Sequence, residues 1–419
     1  MTAETATTAH NHLSTPRWKQ NTKKILLFIL HQWLLIGIGV VCLLAYYFPN
    51  VAKHGGIIRS EYSILYGAMA VIFIISGLSI PRQKLLLHFT NWRLHILVQA
   101  ISFLFIPSLV LAVVHAILAG DPEGRIDRAV LAGYILTACI PTTIASNVVM
   151  TRAAGGDDAA ALVEVLIANF LGPFITAGWT ITLLPETAEF NPWRNGNEDL
   201  SAMYRGVFKQ LGLSVLIPLI VGQLVRWTWP DQTATVLQKY HIPKIGTGCL
   251  LLLVWSTFSS CFASGALQSL SAQSIVFVVC FNLVLYVFLT VVCFYLSRPP
   301  GFLCGGFAGK YIFKRIPPEE TIAVCFCGPA KSTALGIPLL YAMWAPVDLY
   351  LKAKTSVPVL LYTTEQVCIA HFFVHLFRRW NARVKAKMDL EGGEVGCARE
   401  EMTGDGMVEP KDVGVDSGR

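Results

Sequence analysis

An all-α membrane protein with ten transmembrane helices, built as a five-plus-five inverted repeat and broken in helices four and nine, is the fold this sequence predicts. Three observations carry that expectation. Of 419 residues, 54% are hydrophobic and only 14% charged, where soluble domains carry roughly a quarter charged residues. The mean hydropathy is +0.55, so lipid has to solvate much of the chain. Apolar runs of about 20 residues, the length a helix needs to cross a bilayer, recur along it.

Residues 1–24 are polar and read as a disordered cytoplasmic segment. The runs 25–48, 62–80, 94–119, 129–150 and 158–184 make a first five-helix repeat, residues 25–184. The runs 203–226, 242–264, 272–297, 319–343 and 356–377 make a second, residues 203–377. Residues 388–419 are acidic and poor in aromatics, the composition of a disordered cytoplasmic tail. With the N-terminus inside, about 20 Lys and Arg residues fall in inner segments and about 8 in outer loops, a positive-inside bias that puts both termini in the cytoplasm. An odd number of helices per half inverts the topology of the second half, the plan of many secondary transporters.

The net charge of +7 does not point to nucleic acid, because the basic residues sit in short loops between apolar runs. The 11 cysteines lie mostly inside those runs, as at Cys42, Cys249, Cys280 and Cys293, and read as small buried hydrophobes. The first run is long and follows a polar stretch, so it reads as a retained helix and not a cleaved signal. No zinc-ligand helix, nucleophile elbow or phosphate loop is present, so an enzyme is not expected. No cofactor is expected either. The partners implied are the lipid bilayer and a small-molecule or ion substrate.

Chemistry is concentrated where prolines interrupt two runs. In run four, Pro141 removes a backbone donor and Thr142, Thr143, Ser146 and Asn147 place oxygens beside the break. Broken helices occur in membranes where they line a protein cavity, and oxygen-rich sites suit hard cations. The competing reading is that these groups only heal the helix. In run nine, Cys327, Pro329, Lys331, Ser332 and Thr333 stand together. An ammonium at membrane depth costs a few kcal/mol or more and normally faces a cavity or a partner. Cys139-Ile-Pro141 and Cys327-Gly-Pro329 fall at corresponding places in the two halves, and matched breaks point to a transport site. Glu164, with Asn169 beyond it, and Glu365, flanked by Thr364 and Gln366, are the carboxylates in the following helices. Either could pair with Lys331, bind a cation or carry a proton. His95 and the other histidines in the runs read as interfacial or simply hydrogen-bonded.

Pro141-Thr-Thr-Ile-Ala-Ser-Asn-Val-Val-Met-Thr-Arg-Ala-Ala-Gly-Gly156, followed by Asn169-Phe-Leu-Gly-Pro-Phe, resembles the bile acid:sodium symporter superfamily. Phe326-Cys-Gly-Pro-Ala-Lys-Ser-Thr-Ala-Leu-Gly-Ile-Pro338 resembles its divergent branch, which holds the seventh solute carrier member and the fungal regulators of calcium homeostasis. The resemblance covers about residues 20–385. It implies that helices one, two, six and seven form a panel, and that three to five and eight to ten form a core in which the broken helices cross. It places Ser146 and Asn147 in a core sodium site. Cys327 and Lys331 stand where sodium symporters of the family carry a glutamate and a glutamine, a change that weakens sodium binding. The function implied is cation-coupled uptake of an organic anion, driven by Na+ or H+ and linked to calcium homeostasis. The alternative is a non-transporting regulator that restrains calcium influx, with calcium-entry machinery as its partner. The plasma membrane is the expected location, ahead of the Golgi, endoplasmic reticulum or vacuole.

Overall fold

The computed structural model describes residues 33–79, 82–143, 145–194, 212–263, 270–300, 315–344 and 346–404, together with Arg205, Lys209, Gly265 and Gln268. Every apolar run of the sequence carries helix here, and no strand occurs among the described residues. We label the helices α1 (Trp33–Tyr47), α2 (Ser60–Ser79), α3 (Trp92–Gly120), α4a (Arg128–Cys139), α4b (Ala145–Ala153), α5 (Asp158–Leu183), α6 (Gly212–Thr228), α7 (Ile242–Ala263), α8 (Ala272–Ser297), α9a (Pro318–Cys327), α9b (Thr333–Met343) and α10 (Leu349–Gly404).

Six of them, α2, α3, α5, α7, α8 and α10, are long and apolar enough to cross a membrane. A seventh is added if α6 and the helix Pro230–Lys239, bent by 112° from it, count as one span. The difference from ten has identifiable causes. α4 and α9 are each split into two pieces shorter than a span, and α1 is described for 15 residues only. Residues 25–32, the start of the first expected run, lie outside the described set, as do 1–24 and 405–419. α10 continues as helix through residues 388–404, the part of the expected tail that is described. One backbone bond per added residue lets a nucleated helix propagate past its packed face.

The helices sort into two packing groups. α1 packs on α7, α2 on α6 and α7. In the other group α10 packs on α4a and α8, and α5 lies against α4a, α4b and α9a. The first group turns apolar side chains such as Leu43, Tyr46, Ile220 and Leu224 outward; lipid-facing surfaces have no need of polarity. The second group holds most of the buried core. All of Ala129–Cys139 in α4a is buried, as is Thr321–Cys327 in α9a.

Both breaks fall at the expected prolines. α4a ends at Ile140, whose extended backbone (φ −67°, ψ 153°) is the conformation a following proline imposes. Gly172 of α5 makes room for the ring: a Cβ there would sit 2.6 Å from Pro141 Cγ. α5 starts at an Asp157 N-cap, whose carboxylate accepts from the Ala159 and Ala160 amides.

Candidate functional site

The two breaks meet. A helix end leaves its last four carbonyls without internal partners, and each break supplies donors to the other. Lys331, 1% exposed, donates from Nζ to Ala138 O at 2.8 Å and Ile140 O at 3.0 Å. The Ser332 amide donates to Pro141 O at 2.9 Å. In return the Thr142 hydroxyl donates to Cys327 O at 2.7 Å.

The ammonium finds its remaining partners on α3. It donates to Ser102 O at 2.8 Å and to Ser102 Oγ at 3.2 Å, and lies 6.0 Å from the centre of the Phe103 ring. Ser102 sits in a π-wound turn, Ile101–Phe105. There the Ile106 amide bonds Ile101 O, one residue further back than in an α-helix. The next amide in that pattern would serve Ser102 O, but residue 107 is proline and has no N–H. The Ser102 carbonyl is thus left for an outside donor, and the lysine supplies it. Three carbonyls and a hydroxyl make a shell of neutral oxygens around a fully enclosed ammonium.

Neighbouring side chains fix the backbone of both breaks. Gln366 accepts from the Lys331 amide at 2.9 Å and donates to the Lys331 carbonyl at 2.8 Å. Tyr362 donates to Pro329 O at 2.7 Å. On the other break, Asn147 donates to Thr142 Oγ1 at 2.7 Å and Asn169 donates to Thr142 O at 3.1 Å.

A cavity of about 780 Å³ lies between the two packing groups, above these breaks. Its floor includes Thr143, Ser146, Ser332 and Thr333; Ser256 and Ser260 of α7 form part of the opposite wall. The hydroxyls of Ser332 and Thr333 are buried and have no hydrogen-bond partner among the described residues. Ser332 is the N-cap residue of α9b, yet its side chain makes no cap bond. Thr143 and Ser146 stand at the start of α4b. Residues at the N-terminal ends of two helices, α4b and α9b, therefore line one cavity, and the positive end of a helix dipole favours negative charge. His54, Asp348 and Tyr350 are exposed residues of its lining, and with the half-buried Lys53 they mark its mouth.

The SBF-like CPA transporter family matches residues 32–379. The chain belongs to this family. It is 40% identical to a protein named solute carrier RCH1 from Candida albicans, over 88% of this chain and 94% of that one. It is equally similar, 40% over 89% of each chain, to solute carrier RCH1 from Saccharomyces cerevisiae. Sodium/bile acid cotransporter 7-B from Xenopus laevis is 28% identical over 83% of this chain and 92% of its own. The family and the divergent branch expected from the two motifs are thus the ones found.

The structure gathers ten of the twelve residues singled out in the sequence around the two breaks: Thr142, Thr143, Ser146, Asn147, Asn169, Cys327, Lys331, Ser332, Thr333 and Gln366. The two carboxylates lie elsewhere. Glu164, fully buried, binds His95 and Gln99 of α3. Glu365, half-buried, lies beside Asn282, and its Oε2 has no hydrogen bond among the described residues. Neither is ion-paired with Lys331, so the expected carboxylate partner of the lysine is replaced by carbonyls. The physical reason is that two helix ends and a π-turn already present unpaired acceptors at that point. Among the described residues no group of three or more His, Cys, Asp or Glu side chains could hold a metal.

Sequence reasoning missed Ser102 and Gln99, while His95, read as interfacial or hydrogen-bonded, is hydrogen-bonded to Glu164 and Phe89 O. The signals were present: Pro107 five residues after Ser102, and the spacing of 95, 99 and 102, which puts all three on one helix face.

Proposed function

We propose that this chain is a solute carrier that moves a small organic anion by rocking one packing group against the other, with the Lys331 ammonium standing in for a coupling sodium ion. Ten membrane crossings in an inverted repeat, with α1, α2, α6 and α7 as the panel and the rest as the core, fit the matched breaks and the packing. Both termini are then cytoplasmic, the plasma membrane is the site of action, and the cavity opens outward at Lys53 and His54. The observation that carries the reading is the cavity floor, where unpaired hydroxyls and two helix N-termini converge. Backbone amides at helix N-termini favour negative charge, and about 780 Å³ accommodates a small ligand. A link to calcium homeostasis belongs to this reading through the branch the sequence resembles.

Lys331 supports independence from sodium. Its charge already occupies the place between the breaks, and its four oxygen partners leave no coordination for a metal ion there. Ser146 and Asn147, the expected sodium ligands, are respectively on the cavity floor and bonded to Thr142. That same saturation favours the alternative in one respect, since a permanently filled crossing suits a regulator that carries nothing. Uptake separates them. Purified protein in liposomes should accumulate taurocholate or pyruvate above empty vesicles, with or without external sodium. Lys331→Gln should abolish that uptake or make it sodium-dependent. Retention of full sodium-independent uptake by Lys331→Gln would return the lysine to a purely structural role. Absence of all uptake, with a calcium-influx phenotype that still depends on the intact chain, would favour the regulator.

A further inference from the structure

Away from the cavity lies a second buried polar site that the functional reading does not use. Glu164 of α5 has no exposed surface. Its Oε1 is 2.5 Å from His95 Nδ1, and its Oε2 accepts from Gln99 Nε2 at 3.0 Å. His95 Nε2 is 3.2 Å from the carbonyl of Phe89. A carbonyl can only accept, so Nε2 carries a hydrogen. Nδ1 and Oε1, at such close range, then hold one proton between them, either on the ring as imidazolium or on the carboxyl as the neutral acid. Removing it would leave a lone pair facing a carboxylate in a buried site, which is repulsive.

We infer that the His95–Glu164 pair is a proton-binding site reached from the end of the molecule opposite the cavity mouth, and that it is where a coupling proton is taken up or released; this coupling role rests on the transport reading above. Its position follows from the chain path. α2 runs from the Lys53–Arg59 segment at the mouth to the segment before α3, so Phe89 and Asn91 lie at the far end. The His95 side chain is 16% exposed and that of Glu164 is 0% exposed, so the ring is the member of the pair that reaches the surface. One turn further along the same face of α3 is Gln99, and then Ser102, which holds the Lys331 ammonium. The pair and the lysine are thus joined by one helix face across the core.

Other charged groups around the pair have partners of their own. His88, on the helix Arg82–Phe89, meets Asp157 at 3.1 Å, and Arg152 of α4b meets Asp158 of α5 at 2.6 Å. From α9a, Glu319 meets Lys385 of α10 at 2.9 Å, Glu320 accepts from Asn91 at 3.2 Å, and the Cys327 thiol lies 3.8 Å from Ala161 O. Arg93 shares α3 with His95. The step itself is a proton transfer only: hydronium on the Phe89 side gives a proton to the pair and becomes water, and the same proton passes to water on the other side when the pair opens there.

The test is pH-difference infrared spectroscopy on the purified full chain, between about pH 5 and about pH 9. Wild type is expected to show a titrating carboxyl or imidazole band. Because Nδ1 and Oε1 share one proton, both His95→Gln and Glu164→Gln should lose it. The double variant His95→Gln/Glu164→Gln keeps a neutral hydrogen-bonded pair, so it decides the matter if either single variant misfolds; it too should lack the band. A band that survives in the double variant, or that His95→Gln leaves unchanged, would overturn the site. Taurocholate uptake into pyranine-loaded vesicles tests the coupling role separately. Lumenal acidification with uptake in wild type, cut several-fold in Glu164→Gln, is expected; uptake in wild type without acidification would overturn coupling. A failure of both taurocholate and pyruvate uptake counts against the transport reading, while the infrared band still decides whether the pair binds a proton.

Discussion

The break at Pro141 and the break at Pro329 share a proline and a place in the chain, but they differ in what they offer. The first presents acceptors: Ala138, Ile140 and Pro141 all turn carbonyls toward its counterpart. The second presents donors, an ammonium and the Ser332 amide, and turns the Cys327 carbonyl toward Thr142. Two acceptor-rich breaks would need a bound cation between them. With Lys331 in one, that cation is covalently part of the chain. The difference teaches that a buried charge can be a device for joining helix ends as well as a device for binding solute.

Removing the ammonium tests this most severely. Lys331→Met leaves three carbonyls and a hydroxyl without their donor. At about 1–3 kcal/mol per unsatisfied buried group, the loss is on the order of 3 kcal/mol or more. A large fall in the unfolding temperature of the detergent-solubilised protein is expected; an unchanged transition would mean the breaks hold together without the lysine.

Helix packing beside the breaks allows a sharper contrast. In α4a, a Cβ on Gly133 would lie 2.2 Å from the Thr355 carbonyl of α10, which is backbone and cannot turn aside. Beside the other break, a Cβ on Gly328 would lie 2.6 Å from Cys293 Sγ, which can rotate. Gly133→Ala should therefore destabilise by about 1–3 kcal/mol, the usual range for overpacking, and Gly328→Ala by less. Equal losses in thermal unfolding would show that the two half-helices are held with similar tightness.

Thr142 is the donor the first break contributes. Thr142→Val removes its bonds to Cys327 O and Asn147, and about 1 kcal/mol is expected, near the values measured for polar contacts between membrane helices. Thr142→Ser should recover most of it. A valine variant as stable as wild type would make the exchange between the breaks one-sided. The smallest effect is expected far from both. Arg125 pairs with Glu123 at 2.8 Å with both side chains about two-thirds exposed, at 66% and 69%. Such a pair contributes little, so Arg125→Ala should stay within about 0.5 kcal/mol of wild type.

Much of this was legible in the chain. The apolar runs located the helices because a span needs a fixed apolar length, and the two prolines located the breaks because a helix interior cannot supply their missing donors. Lys331 stood out because an ammonium at that depth must have a partner. Its partner did not stand out. Sequence inspection looks for a charge opposite a charge, and the acceptors here are backbone carbonyls, which every residue has. His95 reads in the sequence as hydrogen-bonded, but its partner does not show there for the same reason: only α5 packing on α3 brings Glu164 to within 2.5 Å of it.

The sequence by itself determined that the chain is helical and membrane-embedded, which family it belongs to, and where two helices are interrupted. Those properties follow from apolar length, proline chemistry and local motifs, all set by neighbours in the chain. Only the tertiary structure decided that Ser102, 229 positions from Lys331, would hold its ammonium, and that Glu164 would serve a histidine instead. Partner choice among buried polar groups depends on which unpaired acceptors the packing brings within hydrogen-bond range, and no local pattern encodes that distance.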